Sequence, residues 1–264
     1  MSNRILATLA AAAACLAALP AAAEVYGGAA RDEPLPRFED RLCPGVSGLQ
    51  RDQAEMVVGR IRENAEALDI PLADPETCRA NLLVAVFSDG RRYINELRER
   101  RGYLFENLDR EQKQRLFEQE GPVRSFVRVV TRTRDGLVVD RAESLEVPPQ
   151  TTMAMAHSKI YTATRRDIIS GTVLVDKAAV PQVDIIQLAD YATMRALAGD
   201  GAMDVAMPGG TILSLFDGTG AAPKELTESD RIFLRTLYGT QSNIPAAQTL
   251  SLAQRRIDEQ VWAE

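Results

Sequence analysis

The sequence predicts an α+β fold, a single domain in which a mixed or antiparallel sheet is packed by three or four helices. Three observations predict it. Capped segments with apolar residues at i, i+3 and i+4 recur along the chain. Short runs rich in Val, Ile and Thr lie between them. The order mixes the two types instead of alternating them strictly, which argues against a doubly wound parallel sheet. No internal repeat or low-complexity tract follows the first residues.

The N-terminus is a separate matter. Arg4 precedes an apolar run from Ile5 to Leu19, Pro20 breaks it, and Ala21-Ala22-Ala23 forms a small-residue cleavage site. This reads as a signal peptide over 1–23. The run is alanine-rich and short for a membrane anchor, and Cys15, with no leucine at the usual upstream position, makes a lipoprotein the lesser alternative. The chain carries 31 Lys+Arg and 37 Asp+Glu. Cleavage removes one arginine and no acid, leaving 30 against 37, a net charge of −7. That balance disfavours nucleic acid as a partner. No later stretch is apolar enough to span a bilayer. Of three cysteines, Cys15 leaves with the signal, and the remaining pair, Cys43 and Cys78, reads as a disulfide in an exported, periplasmic or secreted chain.

Residues 24–42 are polar with two prolines and read as a flexible or extended leader. The domain spans 43–240, and a tail that can form a peripheral helix occupies 241–264. Ser47 and Gln50 suggest a capping box for a helix on which Ala54, Val57, Val58, Ile61, Ala65 and Leu68 share a face, ending near Asp69. Leu82 to Phe87 is a buried strand. Ser88 or Asp89 caps an arginine-rich helix through Arg101, read as a solvated face in preference to an anion site. Asp109 and Gln112 open another helix, closed at Gly121-Pro122. Val123 to Arg132 alternates as a strand, and Asp135-Gly136 signals a hairpin into Leu137–Val147. Arg124, Arg128 and Arg132 share one strand face, either wet or anion-binding. Lys159–Thr164 and Ile168–Val175 are two further strands. Ile185, Leu188, Ala189, Ala192 and Ala196 form a core-facing helical stripe ended by Gly199. Met203–Gly220 is loop with an apolar run at Ile212–Phe216. Thr227 caps a last core helix that stops at Gly239, with Asp230 at its third position.

Motifs that carry chemistry are few. His157 is the chain's one histidine and no HExxH is present, whereas a catalytic zinc takes about three protein ligands. No cofactor motif, nucleophile elbow or phosphate loop occurs. His157-Ser158-Lys159 cannot converge on a strand, since neighbours point to opposite faces. Asp184, Asp190, Asp200, Asp204, Asp217 and Asp230 cluster in sequence, the basis for an alternative reading as a metal-independent hydrolase.

Residues 183–239 resemble the C-terminal half of a zincin-type metallopeptidase, in which an active-site helix, a loop and a final helix succeed one another; Leu226-Thr227, Asp230, Leu234 and Leu237-Tyr238-Gly239 carry the likeness. The whole mature chain resembles uncharacterised secreted proteins of alphaproteobacteria through Cys43-Pro44-Gly45, Cys78, Asn81–Val84 and the helix Gln187–Ala198. The helix in the HExxH slot reads QLADYATMRALA and holds no metal ligands. The resemblance therefore implies a degenerate zincin-like domain, a pseudoenzyme with no catalytic residue, metal or cofactor. In it Gln187, Tyr191 and Arg195, at i, i+4 and i+8, would line an inherited cleft for an envelope protein or peptide.

Overall fold

The computed structural model describes residues 32–106, 108–139, 160–199, 205–218 and 222–263. The signal segment 1–23, the expected strand beyond 139, His157-Ser158-Lys159, Asp200 and Asp204 lie outside the described residues. The fold is α+β, with a four-stranded mixed sheet in the order β1-β2-β4-β3.

β1 (Pro44–Ser47) is a four-residue edge strand that the sequence does not announce, with Val46 its one strong β former. Its proline sits at the first position, where an edge strand tolerates a missing donor. It pairs in parallel with β2 (Leu82–Phe87), and helix α1 (Arg51–Ala67) makes the crossover. Ser47 belongs to this strand and not to a capping box: Gln50 caps α1 in extended conformation without any side-chain hydrogen bond. Val57, Ile61 and Ala65 bury one face of α1, as the spacing requires. The helix ends where Asp69 adopts φ +56° and Ile70 N–H returns to the Ala65 carbonyl, a left-handed stop that Asp tolerates.

β2 meets a core on each face, although Leu83 stays exposed. Leu82, Val84 and Val86 enter the larger core, and Ala85 the smaller, which explains its unbroken apolar run. The disulfide Cys43–Cys78 closes just ahead of β1 and β2, with Cα atoms 6.2 Å apart. It ties together the starts of two paired strands, and the 35-residue separation implies stabilisation of roughly 3–4 kcal/mol in the chain-entropy account. Such a bridge fits an oxidising compartment. No helix among the described residues is long and apolar enough to cross a membrane.

Helices α2 (Gly90–Arg100) and α3 (Arg110–Glu118) are capped by Asp89 and by an Asp109/Gln112 box. With the Gly102–Phe105 turn they cover one face of the sheet, Ile94, Phe105 and Leu116 packing with the sheet's own Phe126. β3 (Val123–Thr133) pairs antiparallel with β4 (Thr164–Asp176), with a register shift at Arg128/Val129. The turn at Gly136 (φ +93°) returns residues 137–139 onto β3 through Thr133 N–H to Leu137 O and Val139 N–H to Thr131 O. The two strands expected at 159–164 and 168–175 are instead one strand: Thr164–Asp176 is continuous, and residues 160–163 are not strand. Arg165, Arg166 and Asp167 read as a break, but the Asp167 carboxylate, with Arg165 Nε at 3.1 Å and Arg132 Nε at 3.2 Å, lets charges occupy a strand.

The opposite face carries α1 and α4 (Ile185–Ala198), backed by α5 (Glu228–Gly239) and α6 (Ala246–Ala263). Two segments assigned outside the domain belong to its core. Leu250, Ala253 and Ile257 of α6 are buried. Phe38 and Leu42 of the leader are buried too, and Arg37 pairs with Asp167 and donates to the carbonyls of Leu237 and Thr240 at the end of α5. An arginine there satisfies carbonyls that the helix itself leaves open.

Candidate functional site

Helix α4 positions the site. Asp184 and Gln187 form a reciprocal capping box at its start, and ten of its residues are buried. It approaches the sheet closely because Gly171 faces Ala196: a Cβ on Gly171 would stand 3.3 Å from that of Ala196. A helix buried nearly all round must satisfy any polar group it carries, and Asp190 shows how. Its carboxylate, fully buried, accepts from Arg60 Nε (2.7 Å) and Nη2 (2.9 Å), Asn64 Nδ2 (2.7 Å) and the Leu226 amide (2.8 Å). One side chain thereby joins α1, α4 and the approach to α5. The pairing holds the Arg60 guanidinium well above its ordinary pKa, chiefly through the hydrogen bond to Asp190.

Asp230 has the same kind of role. Fully buried, it accepts from Thr211 Oγ1 (2.5 Å) and the amides of Ile212 (2.9 Å) and Thr227 (3.0 Å), fixing the 212–216 turn onto α5. Asp184 accepts from the Ile186 amide. Among the described acids of the Asp-rich stretch these three therefore have defined structural work, and Asp217 ends the 212–216 turn. No group of three or more His, Cys, Asp or Glu among the described residues is placed to hold a metal.

The triplet read from the sequence is brought onto one side of α4, facing the chain's own loops. Gln187 accepts from the Asp184 amide (3.1 Å) and donates to the Pro223 carbonyl (2.8 Å). Tyr191 is buried, packs edge-on against Phe216 at 5.0 Å, and accepts from Arg195 Nε at 3.0 Å. Burial raises the Tyr191 pKa.

None of the three lines the larger of two cavities found among the described residues, which lies at the N-terminal end of α4. It holds about 440 Å³ where the carboxyl ends of β1 and β2 meet the starts of α1 and α4, the place where parallel strands leave a crevice. Leu49, Val86, Val180, Val183, Ile185 and Leu188 supply apolar walls; Gln50, Gln53, Lys177 and Asp184 are polar. Two local features build it. Gly48 (φ +86°) turns the chain from β1 into α1 so close to β2 that a Cβ would lie 2.2 Å from the Val86 carbonyl oxygen. The 177–182 turn, with Pro181 inside it, lifts the chain from β4 to α4. A smaller hollow of about 320 Å³, lined among others by Asp176, Gln182 and Phe216, lies across the same turn.

The arginines of β3 separate. Arg124 is 2% exposed, donates to the Gln119 carbonyl and stands 3.9 Å from Asp176; its Nε and Nη1 have no hydrogen-bond partner among the described residues, and burial lowers its pKa. Arg128 lies over the Tyr103 ring at 6.0 Å, and Arg132 pairs with Asp167. They form no continuous anion-binding face. Sequence reading missed the crevice because Gly48, Gln53, Lys177 and Val183 are joined only by topology; the Gly48 turn beside an uncapped helix start was the one local signal.

No protein-family model, curated protein or solved structure matches this chain.

Proposed function

We propose that this is an exported, non-catalytic binding protein of the cell envelope, built on a degenerate zincin-like domain, whose ligand site is the crevice between the starts of α1 and α4. The observation that carries the reading is the division of α4. The face with the i, i+4 slot is closed by the chain's own Phe216 and Pro223 carbonyl, while the helix start opens on 440 Å³ of largely apolar space. That volume lies within the roughly 300–1,000 Å³ usual for ligand pockets. Support for the zincin-like ancestry is the succession of α4, a loop and α5, with Asp190 and Asp230 serving as structural anchors. Support for export is the disulfide together with the leader-like first 23 residues.

The test is a fragment screen read by amide shifts of the ¹⁵N-labelled mature protein. The shifts should concentrate at 48–53 and 177–188. Shifts centred on Tyr191, Arg195 and Phe216, or fragments that never reach the crevice, would overturn the assignment.

A further inference from the structure

The crevice, taken as the binding site proposed above, discriminates between the two ends of a ligand. Its floor and walls are aliphatic, from Leu49, Val86, Val180 and Leu188 among others, with no aromatic ring among the lining residues. Such a surface suits a flexible hydrocarbon and offers nothing for stacking.

Its polar groups are unequal. Asp184 is committed to α4, accepting from the Ile186 amide at 2.7 Å while its own amide donates to Gln187. Gln50 and Gln53 are neutral. Lys177 is exposed, is the single cation of the lining, and has no ion pair among the described residues. The first turn of α1, which carries Arg51 and Asp52, also presents amides of partial positive charge, because Gln50 leaves that helix without a side-chain cap.

We infer that the crevice binds a medium-length aliphatic carboxylate, its chain against the apolar walls and its carboxylate at Lys177 beside the first turn of α1. The hydrocarbon supplies affinity in proportion to the area it buries, and the cation selects the acid over an alcohol of equal length.

The experiment is calorimetric titration of the mature, disulfide-bonded protein with decanoate, decanol and decyltrimethylammonium. Decanoate should bind once per chain, at least tenfold more tightly than decanol, with the ammonium weakest. Lys177→Gln should bring decanoate to the level of decanol, and Val183→Asp should remove both, with thermal melts confirming that each variant folds. Equal binding of acid and alcohol, unmoved by Lys177→Gln, would overturn the ligand class and leave the crevice as an apolar site. Decanoate binding untouched by Val183→Asp would place it elsewhere and overturn the inference. Failure of all three probes, with fragments mapping away from 48–53 and 177–188, would overturn the site itself. Tenfold preference for a hexapeptide with a free C-terminal leucine, lost on its amidation, would replace the fatty acid by a peptide carboxylate.

Discussion

Replacing Asp190 by alanine is the perturbation whose cost the structure sets most clearly. The wild-type carboxylate accepts four hydrogen bonds at 2.7–2.9 Å. Hydrogen bonds to charged groups contribute about 1.5–3 kcal/mol each, but simple addition overshoots. Arg60 is partly exposed and keeps Glu225 at 3.1 Å, and Asn64 keeps Thr193 at 3.2 Å. The Leu226 amide has no such substitute. Breaking one partner of a buried pair costs about 3–5 kcal/mol, and we expect Asp190→Ala to fall there. With a urea slope of about 2 kcal/mol/M, the unfolding midpoint should drop by about 2 M. Arg60→Met/Asp190→Leu should recover at least about 1 kcal/mol of that loss, because the stranded guanidinium goes with its partner. A midpoint for Asp190→Ala within about 0.5 M of wild type would refute the view that Asp190 is an anchor, and would return it to the pool of functional carboxylates.

Single positions elsewhere carry the remaining predictions. Gly48→Ala should cost at least about 2 kcal/mol, since its Cβ meets the rigid Val86 carbonyl and its φ is positive; Gly59→Ala, in mid-helix with nothing within 4 Å, should gain about 0.5–1 kcal/mol, both read by denaturation. Arg124→Leu should leave stability within about 1 kcal/mol of wild type or raise it, because its guanidinium is buried with two nitrogens that lack hydrogen-bond partners among the described residues, and retention on a heparin column should not change. Tyr238 is partly buried, its hydroxyl taken up between the Phe38 amide and the Leu197 carbonyl, and desolvation raises its pKa above the ordinary value near 10. The unfolded chain then loses that proton first, so the contribution is full below about pH 10 and fades as pH rises beyond it. Thermal midpoints across the alkaline range should fall less steeply for Tyr238→Phe than for wild type.

How much was legible depends on where each signal resides. α2, α3 and α5 carry side-chain caps at residues the sequence marks, Asp89, Asp109 and Thr227, because capping is local chemistry. β1 escaped because one valine in four residues is no pattern, and Ser47 suits a cap as well as a strand end. Thr164–Asp176 was split in two because Arg165-Arg166-Asp167 is a poor strand by composition; Arg132 and Glu39, distant in sequence, neutralise it. Tyr191 and Arg195 did meet at i, i+4 as their spacing requires. That Phe216 would close over them is a tertiary fact. Asp190 and Asp230 looked like reagents because a buried acid and a catalytic one are the same letter in a sequence.

In the proposed reading, α4 occupies a metallopeptidase-like slot without its chemistry. Metal content and peptidase activity of the disulfide-bonded protein, purified without chelator, decide whether that reading stands. The account predicts no stoichiometric zinc and no cleavage of an unfolded protein substrate. One zinc per chain with proteolysis abolished by chelation would contradict it.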